Sequence, residues 1–199
     1  MSGEKQKCGE LVGRIAAGDR CALGELYDQM KSKVYGFALA ILRNRSDAED
    51  ILQNTFLHIW DGAGGFRNGT DAEAWVMTIT RNLAMDRFRQ QKNMTDIMDA
   101  VDTLEGEDEF SPRLDRMLLN QLLSELDCSE RQIVMLHAVG GYSHREIAHI
   151  VGRPCATVRW KYSNAMKKLQ LYLKKEDSYE DGKKVQFAGS NCEQTSLRG

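Results

Sequence analysis

Apolar residues recur at steps of three and four along most of this chain, the spacing of helices that each bury one face. The longest stripe is Leu23, Leu26, Tyr27, Met30, Val34, Phe37, Ala38 and Ile41. Arg43-Asn44-Arg45 interrupts it, and Ser46 with Glu49 three residues on is spaced as a capping box for the next helix. That helix turns Ile51, Leu52, Phe56, Ile59 and Trp60 inward. Gly62, Gly64, Gly65 and Gly69 mark a loop. Thr70 with Glu73 is spaced as a second capping box, and the following stripe, Trp75, Val76, Ile79 and Leu83, ends near residues 90–92. Residues 10–92 read as one compact helical domain behind a short N-terminal extension, residues 1–9.

Periodicity fades from Asn93 to Ser111, which predicts a flexible linker over 93–111. Ser111-Pro112 suits an N-cap followed by a first helical position. Leu114, Met117, Leu118, Leu122 and Leu126 then form a stripe. Ser129 with Gln132 predicts a further start, leading to Ile133, Val134, Leu136 and Val139, with Gly140-Gly141 as the stop. Ser143 with Glu146 is again a capping box, ahead of Ile147, Ala148 and Val151. After the turn Gly152-Arg153-Pro154, a last helix is expected from about Cys155 to Leu173, so that 112–173 form a second domain. Residues 174–199 carry no sustained stripe and are expected to be a disordered tail. The fold class is therefore all-α: two small helical domains joined by a flexible acidic linker, the second a helix-turn-helix.

Charge sharpens this division. The net charge is only −2 over 199 residues. From Arg153 to Lys175 every charged residue is basic (Arg153, Arg159, Lys161, Lys167, Lys168, Lys174, Lys175), whereas from Asn93 to Pro112 every one is acidic. That split points to a single nucleic-acid face at the C-terminal end. Other functions find little support. Cys8, Cys21, Cys128, Cys155 and Cys192 have no CxxC spacing and read as reduced thiols in the cytoplasm. The four histidines lack HExxH spacing, and the glycine loop lacks the GK[ST] of a phosphate-binding loop. Neither an enzyme, nor a metal, nor a cofactor is expected. No apolar run reaches the roughly 18 residues of a membrane span, so no membrane insertion is expected.

Two helices joined by a short glycine turn, the second of them basic, have the layout of a helix-turn-helix. On the second helix Val158, Tyr162, Ala165 and Leu169 share a face, while Ala156, Trp160, Ser163, Asn164 and Lys167 lie opposite, at about 100° per residue. Asn164 suits adenine, Trp160 a thymine methyl or sugar, and Arg159 a guanine or a phosphate. Lys161, Lys167 and Lys168 suit phosphates, which position without specifying. On residue chemistry alone, a solvated surface helix with lysines remains the plain alternative.

In the first domain, Asp50, Gln53, Asn54 and His58 share a polar helix face within Asp47-Ala48-Glu49-Asp50-Ile51-Leu52-Gln53-Asn54-Thr55-Phe56-Leu57-His58-Ile59-Trp60. This stretch resembles the polymerase-binding helix of bacterial sigma factors, in particular the extracytoplasmic-function subfamily of the sigma-70 family. Gly65-Phe66-Arg67, Ala74-Trp75, the run Ile79 to Arg87, Tyr142 to Ala148 and Pro154 to Arg159 match the same family in the same order. The resemblance covers residues 10–173. It implies that Glu49, Asp50, Gln53 and Asn54 bind core RNA polymerase. It implies that Phe66, Arg67, Asn68, Arg81, Asn82, Arg87 and Arg89 handle the promoter −10 element, where a loop holds a flipped-out base. The −35 element falls to Arg153, Thr157, Arg159, Trp160, Lys161, Ser163, Asn164 and Lys167. Promoter DNA and an anti-sigma factor are the other implied partners. Asn54 stands where similar proteins commonly have an acidic residue. Trp160 replaces a small polar residue and Asn164 an arginine, so a shifted −35 preference is expected. A dimeric helix-turn-helix regulator acting on operators is the alternative function.

Overall fold

The computed structural model describes residues 2–67, 69–95 and 121–189, with side chains described for 6–67, 69–92 and 121–174. Every described element is helical: α1 (Ser2–Ala16), α2 (Arg20–Leu42), α3 (Arg45–Gly62), a 3-10 turn (Ala63–Gly65), α4 (Ala72–Thr95), α5 (Cys128–Ala138), α6 (His144–Val151) and α7 (Cys155–Gly189). Most of the expected linker, the Ser111-Pro112 cap and the stripe from Leu114 to Leu118 lie outside the described residues. Residues 121–124 are helical. The expected tail from residue 174 overlaps α7 as far as Gly189, and residues 190–199 lie outside the described residues. Among the described residues, no helix is long and apolar enough to cross a membrane.

The long stripe becomes the buried face of α2, with Leu26, Met30, Val34 and Ile41 at 1% exposure or less. Each such side chain contributes roughly 1.5–3 kcal/mol by leaving water. α2 packs against α1, α3 and α4. The sequence reading missed α1, whose Cys8, Leu11, Val12 and Ile15 are buried against the rest of the domain. Burial pushes the Cys8 thiol up to about 12, and the Glu73 and Asp71 carboxylates add to the shift.

Three helix starts differ from the spacing-based expectation. Asn44, not Ser46, caps α3 by accepting from the Asp47 amide at 3.0 Å. Asp71, not Thr70, accepts from Ala74 N at 3.1 Å ahead of α4, which leaves Glu73 buried and paired with Lys33 at 3.2 Å. Asp127, not Ser129, forms the capping box with Glu130. In each case an Asp or Asn within two residues of the expected Ser or Thr satisfies an end amide as well or better. Burial works against ionisation of Asp127, but the Glu130 amide and the Lys161 charge outweigh it and hold its carboxyl below its ordinary value. The Ser143–Glu146 box forms as the spacing predicts, with both reciprocal bonds. α4 runs to Thr95, a few residues past its expected end.

α5 and α6 are short, and the C-terminal helices meet at two glycine turns. A Cβ on Gly140 would fall 2.6 Å from the Leu136 carbonyl oxygen, and Gly141 has φ +70. Gly152 ends α6 at φ 64, so that α7 starts directly after Pro154. Ile147, Ile150, Val158 and Ala165 are buried between α6 and α7. Beside them the His137 and His144 rings stack at 4.9 Å, both edge-on to Tyr162. His137 Nδ1 donates to the Tyr142 carbonyl at 2.8 Å.

The two halves pack on one another, α5 against α2 and α6 against α4. Polar side chains cross the seam. Arg131 is buried at 8% exposure. Its guanidinium donates to the carbonyls of Leu123 at 3.0 Å, Leu126 at 3.1 Å and Ala40 at 3.4 Å. Burial, then the nearby Arg43 charge, lowers its pKa from the ordinary value. Gln132, read from the sequence as the capping partner of Ser129, is buried across the seam: it accepts from Arg81 Nε at 3.1 Å and donates to Met85 Sδ at 2.9 Å.

Candidate polymerase and nucleic-acid interfaces

α3 presents the first surface. Its Ile51, Thr55, Phe56 and Ile59 are buried, and the helical period places Glu49, Asp50, Gln53 and Asn54 together in solvent. Glu49 pairs with Arg45 at 3.5 Å, one turn back. Leu57 continues the same stripe and is 62% exposed. The sequence reading passed over it, although it stands one turn beyond Gln53. At the foot of α3, Asp47 is buried and accepts from Arg87 Nε at 2.7 Å and from the Gln91 amide.

The second surface is the loop after α3 with the exposed side of α4. Phe66 is half-buried, its ring 5.2 Å from that of Trp75, so both aromatics pack against the domain while Phe66 keeps part of its surface in water. Arg67 is exposed, and the Thr70 hydroxyl donates to its carbonyl at 2.8 Å, closing the loop. Asn68 lies outside the described residues. On α4, Asn82 is exposed and accepts from Arg81 at 3.1 Å. Arg81 also spans the seam to Gln132, Arg87 holds Asp47, and Arg89 pairs with Asp86 at 2.7 Å. Burial first, then the charges of Arg89 and Arg153, lowers the Arg81 pKa. The helix-turn-helix turn therefore sits close to α4.

The third surface is the outer face of α7. Trp160 is 62% exposed, with Arg153, Arg159, Ser163 and Lys167 exposed around it and Thr157 and Asn164 half-buried. Val158 and Ala165 point inward, as the period requires. Lys161 and Lys168 lie toward the α5 side, paired with Asp127 at 3.5 Å and Glu130 at 2.8 Å. They hold the helix in place as well as adding charge. Among the described residues no group of three or more His, Cys, Asp or Glu gathers as a metal site would require.

Two family models match the chain: Sigma-70 region 2 over residues 26–94 and Sigma-70 region 4 over residues 116–169. CarQ of Myxococcus xanthus, an RNA polymerase sigma factor, is 32% identical over 164 residues, covering 80% of this chain and 94% of CarQ. The chain belongs to the sigma-70 family. The extracytoplasmic-function sigma factor SigK of Mycobacterium tuberculosis is 26% identical over 171 residues, 82% of this chain and 91% of SigK. BldN of Streptomyces coelicolor, of the same subfamily, is 30% identical over 171 residues, 82% of this chain and 65% of BldN. Among solved structures, CnrH bound to the cytosolic domain of CnrY has a TM-score of 0.68 at 23% identity, covering 84% of this chain and 97% of that one. RpoE of Bartonella quintana bound to the anti-sigma factor NepR has 0.66 at 23%, covering 75% and 97%. These two share the fold. This sigma factor thus carries region 2 on α2–α4 and region 4 on α5–α7, and it serves promoter recognition in transcription initiation. α1 precedes the region 2 match.

Proposed function

We propose that this sigma factor grips core RNA polymerase through the exposed α3 stripe and that docking draws region 4 off region 2. The −10 element is then read by the Phe66–Asp71 loop and α4, and the −35 element by the outer face of α7. The reading is carried by one observation: Glu49, Asp50, Gln53, Asn54 and Leu57 form a continuous exposed ridge on a helix otherwise anchored by buried residues. A ridge of charged and amide groups with one apolar residue suits a polar protein partner more than DNA phosphates, because it carries no net positive charge.

The gating follows from charge and geometry. With a net charge of −2 the free chain gains little from phosphate contacts. The two promoter elements lie roughly 70 Å apart, and reading both at once calls for the two halves to separate. An extended linker of about 20 residues adds up to roughly 66 Å. The protein acts in the cytoplasm, without catalysis of its own, and an anti-sigma factor that covers the α3 ridge would hold it inactive. Trp160 and Asn164 shift its −35 preference within the family.

Run-off transcription with purified core polymerase and this protein tests the reading. The wild type should initiate at its promoters. Asp50→Lys with Gln53→Lys should abolish co-purification with core while the helical circular-dichroism spectrum stays unchanged. Full association of that double variant would overturn the reading.

A further inference from the structure

The region 2 match begins at residue 26, leaving α1 outside it, yet α1 packs on α2, α3 and α4 and touches the 3-10 turn. With Cys8, Leu11, Val12 and Ile15 turned inward, Gln6, Gly9 and Glu10 lie on an adjacent face. They form one wall of a cleft of about 490 Å³ whose other wall is Phe66, Gly69, Thr70 and Asp71. The loop wall is fixed by the Thr70–Arg67 bond, by Asp71 capping α4, and by Phe66 lodged against Trp75. On the α1 wall a Cβ at Gly9 would meet nothing within 4 Å, so the cleft is open there. A glycine in mid-helix is unfavourable relative to alanine, and here it keeps space clear.

We infer that α1 supplies the selective wall of the pocket that receives the unstacked −10 base, and that Gln6 and Glu10 favour a base bearing an exocyclic amine over thymine. This rests on the reading of the Phe66–Asp71 loop as the −10 reader. A flipped base needs a stacking surface and edge partners. Phe66 offers the surface. Gln6 and Glu10, one helical turn apart, are side-by-side neighbours and offer an amide donor beside a carboxylate acceptor. The exocyclic amine of cytosine or adenine donates to the carboxylate, and the adjoining ring nitrogen accepts from the amide. Thymine has no amine, and its one ring N–H is flanked by two carbonyl oxygens that a carboxylate repels.

The test uses full-length protein with core polymerase on templates randomised across the −10 region, with initiated templates sequenced. Wild type should enrich an amino-bearing base over thymine about tenfold at one −10 position. Glu10→Lys should erase or reverse that preference there and leave the other positions unchanged. Gly9→Phe, which fills the cleft, should reduce promoter opening, read by permanganate reactivity, about tenfold with polymerase binding unchanged. Gly13→Phe, the same bulk on exposed α1 surface away from the cleft, should behave as wild type. A wild-type preference that persists in Glu10→Lys, with full opening by Gly9→Phe, overturns the α1 wall alone. A wild-type holoenzyme that transcribes but enriches no −10 base overturns the loop reading, and the α1 wall with it.

Discussion

On α7, Arg159, Trp160, Ser163 and Lys167 face solvent, whereas on α4 the arginines that the proposed reading assigns to −10 DNA are already bonded within the protein: Arg81 to Gln132, Arg87 to Asp47 and Arg89 to Asp86. The same side-chain chemistry is presented ready on one helix and engaged on the other. For Arg87 the partner is a buried carboxylate inside region 2, so that bond belongs to the fold. For Arg81 the partner comes from the opposite half, so that bond depends on closure. Under the proposed gating, the contrast places control of DNA reading at the seam, on its region 2 side.

Breaking the seam should have the largest effect. Arg131→Ala leaves three carbonyls without their donor and should cost about 2–4 kcal/mol in denaturant unfolding. A loss under 1 kcal/mol would mean that Arg131 does little to hold the seam. Next come changes on the exposed reader. Arg159→Ala or Asn164→Ala should each remove about 1–3 kcal/mol of −35 discrimination, measured as holoenzyme binding to matched and scrambled −35 sequences. By contrast Lys167→Ala should weaken all sequences alike and lower the salt slope by about one. A smaller effect is expected from Gln132→Ala, which releases Arg81. It should tighten binding of the isolated chain to −10 single strands several-fold, an effect of about 1 kcal/mol. An unchanged affinity would make the Arg81–Gln132 bond irrelevant to gating.

The smallest effect concerns pH within region 4. Burial, then His137 and Arg159, lowers the His144 pKa below its ordinary value. The unfolded chain therefore binds this proton more readily than the folded one. The stability that neutral His144 contributes is present above pH about 6.5 and is lost as pH falls through the lowered value. The protection factors of amides near Tyr162, exchange rates divided into their intrinsic values, should fall on acidification in wild type. In His144→Phe, which keeps a ring in the stack, they should hold.

The helices themselves were largely legible because their driving force is periodic. The α2 stripe, the Ser143–Glu146 box and the inward Val158 and Ala165 all follow from local spacing. Local rules failed where several residues could serve equally well: Asn44, Asp71 and Asp127 took the cap from a neighbouring Ser or Thr. α1 escaped notice because its four buried positions are interleaved with charged ones, though they too recur at three and four. The seam was illegible for a different reason. Arg131 and Gln132 look like surface residues by type, and their partners, Ala40, Arg81 and Met85, lie far away along the chain. Of the candidate site, the exposed α3 and α7 faces could be read from the helical period. Which arginines were engaged, and by what, could not.

Pulsed electron resonance between spin labels at Gly13 on α1 and Gln170 on α7, both exposed positions, tests the gating most directly. The isolated protein should give one short distance population. Adding core polymerase should replace it with one longer by tens of ångströms, approaching the spacing of the promoter elements, and Asp50→Lys with Gln53→Lys should prevent the change. A transcribing complex in which the labels keep their original distance would contradict the account.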